Sequence, residues 1–144
     1  MSARVTILQL FLWFGMAAFA SGDPPPSLPG PLTDVPGDPV RGLEVFRDGS
    51  KATCLICHSV SGLSDRDQGV LGPLLDGVAD NYSPEELRQR IVDARVVSPE
   101  TIMPPYFSTE GLFRVAEEWR SKTIYDAQDV EDVVAYLMTL RSEP

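Results

Sequence analysis

The apolar residues after position 38 recur at the spacing of an α-helix. Asp38 and Pro39 favour a helix start, because the carboxylate can cap free amide groups and the proline ring presets the first turn. Gly42 would let a second helix approach this one closely. The predicted buried face of this first helix comprises Val40, Leu43 and Phe46.

Two later segments predict helices of the same kind. Ser83 and Glu86 can form a capping box at the start of one, which should end before Ser98-Pro99 and bury Leu87, Ile91 and Ala94. The other begins at Asp126, and its buried face would comprise Val130, Val133, Val134, Leu137 and Met138. Residues 112–119 carry a further helical pattern.

No segment alternates polar and apolar residues as a half-buried strand does. The chain is therefore predicted to be an all-α domain of four to five short helices over residues 38–144. Its long loops, marked by glycine and proline, fit a compact domain only if they surround something large.

The first twenty residues have the pattern of a secretory signal peptide. Arg4 precedes about fifteen mostly apolar residues, and Ala18-Phe19-Ala20 places small residues where a signal peptidase cleaves. An uncleaved membrane anchor is the alternative, although the apolar run is shorter than the roughly 20 residues that span a bilayer. We expect cleavage near Ala20 and a mature protein that works outside the cytoplasm. Seven of the 13 prolines then fall within residues 23–39, so residues 21–37 are predicted to be a proline-rich linker.

Composition narrows the chemistry further. Twelve basic residues stand against 21 acidic ones, and a formal charge of −9 argues against nucleic acid as a partner. One histidine and two cysteines exclude a four-ligand zinc finger and allow at most one disulfide.

Those three residues form one motif, Cys54-Leu55-Ile56-Cys57-His58. Its C-x-x-C-H spacing is the signature of covalent haem c attachment, in which Cys54 and Cys57 bind the vinyl groups and His58 binds the iron. A redox dithiol is an alternative, but that motif follows a strand in an α/β pattern absent from this sequence. A structural disulfide is another, but it gives no reason for the histidine to follow directly.

The second axial position of the iron has few candidates. Once the signal peptide is removed, Met103 and Met138 are the remaining methionines, and Met138 falls on the buried face of the last helix. Met103 precedes two prolines that stiffen its loop, which favours it as the ligand. Lys51 or Lys122 in its place is the alternative.

The glycine-rich segment 69–78 is predicted to orient His58. A ligating histidine usually donates its other ring N–H to a carbonyl, and Pro73 could supply one. An ordinary glycine-rich turn is the alternative. Four aromatic residues could pack on the porphyrin or simply fill a small core: Tyr82, Tyr106, Phe107 and Trp119.

In this order, the haem motif, the glycine-proline segment, the methionine-proline loop and a Tyr-Leu-containing last helix resemble the class I cytochrome c family. Local strings resemble its SoxX branch, the monohaem subunits of SoxAX complexes in bacterial sulfur oxidation. They are the segments 89–94, 101–106, 111–115 and 130–137. This chain has Tyr125 where we expect a leucine before the last helix. The difference affects packing and not the ligands of the iron.

The resemblance implies a class I cytochrome c fold around one covalent haem c, with His58 and Met103 at the iron. It also implies a SoxA cytochrome partner and a role in L-cysteine S-thiosulfotransferase, which oxidatively joins thiosulfate to a cysteine of the SoxYZ carrier. This chain would accept electrons and pass them to an acceptor such as another cytochrome c. Two alternatives remain open: a freely diffusing carrier between respiratory complexes, and a haem sensor or peroxidase-like enzyme with an open iron site.

Overall fold

A computed structural model describes residues 26–142. Four α-helices form in this part of the chain, and no strand occurs within it: α1 (Pro39–Arg47), α2 (Val78–Asn81), α3 (Pro84–Asp93) and α4 (Ala127–Leu137). Single 3-10 turns lie at Gly49–Lys51, Cys54–Ile56, Ala94–Val96 and Glu117–Trp119. The prediction of a small all-α fold is confirmed. Within residues 26–142, no helix combines the length and apolarity needed to cross a bilayer.

The predicted helix starts form as expected. Asp38 accepts hydrogen bonds from the amides of Val40 and Arg41 at the start of α1. Ser83 and Glu86 form both halves of the capping box of α3, and Asp126 does the same with Asp129 at α4. These local interactions fix where each helix begins, so the loops between them have defined ends.

Helices α1 and α4 pack closely because glycines lie where they meet. A Cβ on Gly42 would lie 1.9 Å from the Asp132 carbonyl oxygen, and one on Gly37 would lie 2.1 Å from that of Glu131. The ring of Phe46 then meets Tyr136 edge-on at 5.2 Å between centroids. The prediction that Val40 is buried is wrong, since its side chain is 68% exposed; Phe46 and Gly42 form the buried face instead.

The helix predicted over residues 112–119 is also wrong, apart from the 3-10 turn at its end. Gly111 and Arg114 both have left-handed backbone angles, with φ of 66° and 59°. Phe113 is 82% exposed. A short apolar pattern with no surface to pack against does not gain enough to form a helix. The one-turn helix α2, in contrast, was not predicted.

The predicted linker differs from the structure between Leu28 and Gly37. This segment has no regular secondary structure, but it lies against α3 and α4 and not free in solvent. The Leu28 amide donates to the Glu85 carbonyl at 3.1 Å, and the Leu32 amide donates to the Glu131 carboxylate at 2.9 Å. Residues 1–25, which include the predicted signal peptide and the start of the linker, lie outside the described residues.

A buried ion pair holds this segment in place. Both oxygens of Glu131 accept hydrogen bonds from Arg88, at 2.7 and 2.9 Å, and Arg88 also donates to the Leu28 carbonyl. Burial alone would raise the pKa of Glu131, but the bonds from Arg88 and Leu32 outweigh it and keep that pKa below its usual value. The carboxylate therefore contributes to stability at neutral pH and loses that contribution as pH falls through its lowered pKa.

We expect Gly42→Ala to destabilise the holoprotein by about 1–3 kcal/mol or more, because the new methyl group overlaps the α4 backbone. Chemical denaturation followed by circular dichroism measures this loss. Gly49→Ala is the matched control, since nothing lies within 4 Å of a Cβ there. Equal stabilities for the two variants would contradict a tight α1–α4 crossing.

Candidate haem-binding site

A large apolar cavity lies between the attachment motif, helix α3 and the loop that carries Met103. Its volume is about 760 Å³, within the range of sites that enclose an organic cofactor. It is lined by the five residues predicted to attach the haem, bind its iron or orient His58: Cys54, Cys57, His58, Pro73 and Met103. The fold thus brings to one cavity residues that are up to 49 positions apart in the sequence.

The attachment motif forms a tight turn anchored to α1. Thr53 caps the 3-10 turn Cys54–Ile56 by accepting from the Leu55 amide, and its hydroxyl donates to the Phe46 carbonyl at 2.8 Å. The turn continues with the His58 amide donating to the Cys54 carbonyl at 2.9 Å. The hydrogen bond from Thr53 to Phe46 therefore ties the start of the motif to α1.

The glycine-rich segment wraps this turn. The Gly69 amide donates to the Leu55 carbonyl, and the Gly72 amide donates to the Cys57 carbonyl, each at 2.8 Å. A Cβ on Gly69 would lie 2.0 Å from the Ile56 carbonyl oxygen. The segment is therefore a close-fitting support for the motif and more than a turn.

The ring of His58 is oriented by that segment. Its Nδ1 lies 2.8 Å from the Pro73 carbonyl oxygen, the partner anticipated from the sequence. A Cβ on Gly72 would lie 2.4 Å from His58 Cε1, so only glycine leaves room for the ring. With Nδ1 as the donor, Nε2 keeps a lone pair that can bind a metal.

Cys54 lacks the environment of a redox thiol. Cys54 and Cys57 are both free, and no disulfide joins them. Burial raises the pKa of the Cys54 thiol to about 11, whereas reactive and redox thiols have lowered values. The Cys54 sulfur lies 3.7 Å from the Tyr125 hydroxyl, in surroundings that suit a neutral thioether better than a thiolate.

The Met103 loop is held against helix α3. The Met103 amide donates to the Thr101 hydroxyl, and the amides of Tyr106 and Phe107 donate to the Ile91 and Val92 carbonyls. Met103 itself is partly buried against the core. The loop is thus fixed on both sides of the thioether.

The two lysines considered in place of Met103 lie elsewhere. Lys51 forms an ion pair with both oxygens of Asp129, at 2.7 and 2.8 Å, and Lys122 lines a separate groove beside Trp119. Met138 packs against the core at the end of α4 and is not among the residues that line the cavity. Among these candidates, only Met103 faces the cavity.

The aromatic residues divide between the cavity and its surroundings. Tyr82 and Tyr106 line the cavity, whereas Phe107 packs against the core and Trp119 borders the separate groove. Tyr125, which the sequence related only to packing, also lines the cavity and is 1% exposed. Its ring lies 4.6 Å from that of Tyr106. The position of Tyr125 just before a capped helix gave no indication in the sequence that it would line the cavity.

These residues fit a covalently attached haem. Two cysteine side chains, an oriented imidazole and a thioether line one apolar space of suitable size. The glycine at position 72, whose Cβ would collide with the His58 ring, leaves this imidazole its room beside the cavity.

We expect Gly72→Ala to displace the His58 ring while leaving covalent attachment intact, because the added methyl group would occupy the position of the imidazole. The visible and electron paramagnetic resonance spectra of the oxidised protein should then show loss of the low-spin signal. Gly62→Ala serves as the control, since its Cβ would meet nothing within 4 Å. An unchanged low-spin spectrum in Gly72→Ala would show that the ring does not need this space.

Comparisons with known proteins agree with this geometry. The family model of cytochrome c matches residues 40–141. A chain of the crystal structure of SoxXA from P. pantotrophus is similar, with a TM-score of 0.74 and 30% sequence identity. The similarity covers 81% of this chain and 90% of that one. Among curated proteins, none matches the sequence. The family model spans most of the folded residues, and the chain therefore belongs to the cytochrome c family, whose haem c is covalently bound.

Proposed function

We propose that this chain is the electron-accepting SoxX subunit of a periplasmic SoxAX-type complex, an L-cysteine S-thiosulfotransferase. That enzyme oxidatively joins thiosulfate to a cysteine of the SoxYZ carrier protein. The observation that carries the proposal is the similarity, at 30% identity over 81% of this chain, to a chain of SoxXA. The haem cavity and its ligand set supply the chemistry that such a subunit needs.

The residues of the cavity have distinct roles in this proposal. Cys54 and Cys57 would hold the haem through thioether bonds, and His58 and Met103 would bind its iron. Pro73 fixes the imidazole by accepting its Nδ1 proton at 2.8 Å. When bound, the haem iron supplies reversible acceptance of one electron, and a methionine ligand raises its reduction potential.

The electron balance assigns this chain a relay role. Joining a thiol and thiosulfate through a new S–S bond releases two electrons and the thiol proton, whereas one haem accepts one electron at a time. Both cysteines would be bonded to the haem, and His58 and Met103 would leave its iron no position for a substrate. The S–S bond therefore forms outside this chain, and SoxA is the partner subunit of this chain. Each electron that this chain accepts then passes to a downstream acceptor such as another cytochrome c.

The surface at the cavity mouth favours a stable complex over a freely diffusing carrier. Two large aliphatic side chains beside the cavity, one on the haem motif and one on the glycine-rich segment, are exposed and do not line it: Ile56 and Val70. Val70 is 87% exposed and Ile56 is 63% exposed. Exposed apolar patches of this kind are typical of protein interfaces, whereas diffusing carriers depend on charge steering.

Purification from the native host tests the proposal. The chain should copurify with a second cytochrome, identified by mass spectrometry as SoxA, and its deletion should abolish thiosulfate oxidation. Val70→Asp should weaken that complex about tenfold, because a charge would enter an apolar contact. Val35→Asp is the control, since Val35 is exposed on the segment before α1. A monomeric chain whose deletion leaves thiosulfate oxidation intact would favour the diffusing carrier.

We expect Met103→Ala to retain covalent haem but to lose the weak near-infrared sulfur-to-iron absorption band of the oxidised protein. The reason is that no other thioether within residues 26–142 lines the cavity. The same band in Met138→Ala should persist, because Met138 packs against the core. Survival of the band in Met103→Ala would refute this ligand. Rapid carbon monoxide binding by the unmodified protein would instead favour a sensor or peroxidase-like enzyme.

A further inference from the structure

One cationic side chain lines the haem cavity, and neither the motif nor the proposed function accounts for it. Within residues 26–142, Arg90 is the only lysine or arginine among the residues that border this space. It lies on α3 and is half-buried. A positive charge beside a largely apolar cavity is costly unless it meets an anion.

The guanidinium of Arg90 is held in position. Its central carbon lies 4.1 Å from the centroid of the Tyr82 ring, at cation–π distance, and its Nη1 donates to the Glu86 carbonyl at 3.1 Å. Tyr82 also lines the cavity and directly precedes the capping serine of α3. The helix start and the aromatic ring therefore fix the charge together.

Arg90 lacks the carboxylate partner that most arginines of this fold have. Five others form ion pairs with aspartate or glutamate: Arg41, Arg47, Arg88, Arg95 and Arg141. In the described part of the chain, no carboxylate lies within ion-pair distance of Arg90, and only one of its N–H groups has an acceptor. An arginine has five such donors, so the side chain retains capacity to bind an anion through two of them at once.

The haem itself brings anions to this cavity. Each haem c carries two propionate carboxylates, and a carboxylate that leaves water needs a paired charge or several hydrogen bonds. Asp76 also borders the cavity, but it is itself acidic and accepts from the Ser61 amide at 2.9 Å. We propose that Arg90 binds a haem propionate, with Tyr82 as the platform that holds the guanidinium. This rests on the bound haem of the proposed function but not on the identity of its partner.

The pair has a defined electrostatic consequence. A cation beside the porphyrin disfavours the oxidised iron, which carries one more positive charge than the reduced iron. Loss of Arg90 would remove this cation and leave the propionate charge uncompensated. Both changes favour oxidised iron and so lower the reduction potential, and salt screens them less than it screens an exposed charge, because Arg90 is half-buried.

Redox titration of the matured holoprotein at low and high ionic strength tests the assignment. Arg90→Gln should lower the potential at both ionic strengths, whereas Arg90→Lys should retain most of the wild-type value. Arg120→Gln is the matched control, because Arg120 is exposed and does not line the cavity. It should produce a smaller shift that disappears at high salt. A shift in Arg90→Gln that matches this control, or that salt abolishes, would overturn the proposal.

A crystal structure of the wild-type holoprotein provides a second test that does not depend on the folding of any variant. A propionate oxygen within hydrogen-bond distance of the Arg90 guanidinium is expected, and two propionates bound elsewhere would refute the assignment. Haem content and the near-infrared band, measured on the same samples, separate this result from the proposed function. If the haem is covalently bound and the near-infrared band is intact, but Arg90→Gln leaves the reduction potential unchanged, then only this inference is refuted.

Discussion

The fold depends on the haem, which takes the place of part of the apolar core. A domain of about one hundred residues surrounds a cavity of about 760 Å³, so much of the apolar surface that would otherwise pack on itself faces the haem. Small domains bury a limited fraction of their surface and often need a further stabilising element. Under the proposed function, covalent bonds to Cys54 and Cys57 would make that element permanent. The long loops then line the haem cavity.

The same requirement explains why the supports of the site are backbone contacts. Gly69 and Gly72 bring one loop against the motif, and Gly42 brings α1 against α4. In each place a methyl group would meet a carbonyl or the His58 ring at 2.4 Å or less. Close backbone approach fixes the imidazole and the thiols without using side-chain volume, which leaves the interior free for the porphyrin.

Much of the site could be predicted from the sequence because its chemistry is local. The C-x-x-C-H spacing identifies the haem, and prolines after Met103 or a capping box at Ser83 act within a few residues. Features that depend on distant contacts were missed or mistaken. The helix pattern at residues 112–119 had no surface to cover, and Val40 turned toward solvent because Gly42 and Phe46 face α4. Arg90 and Tyr125 acquire their importance only when α3 and α4 border one cavity.

The segment from Leu28 to Gly37 shows the same limit, since proline content alone indicated a linker. Its amides and carbonyls instead complete the buried pair of Arg88 and Glu131. The family match begins at residue 40, and a recombinant fragment cut at that boundary would leave Arg88 and Glu131 open to water. A fragment that keeps the hydrogen bonds of this pair therefore starts at or before Leu28, and a boundary taken from the family match would remove the backbone groups that complete it.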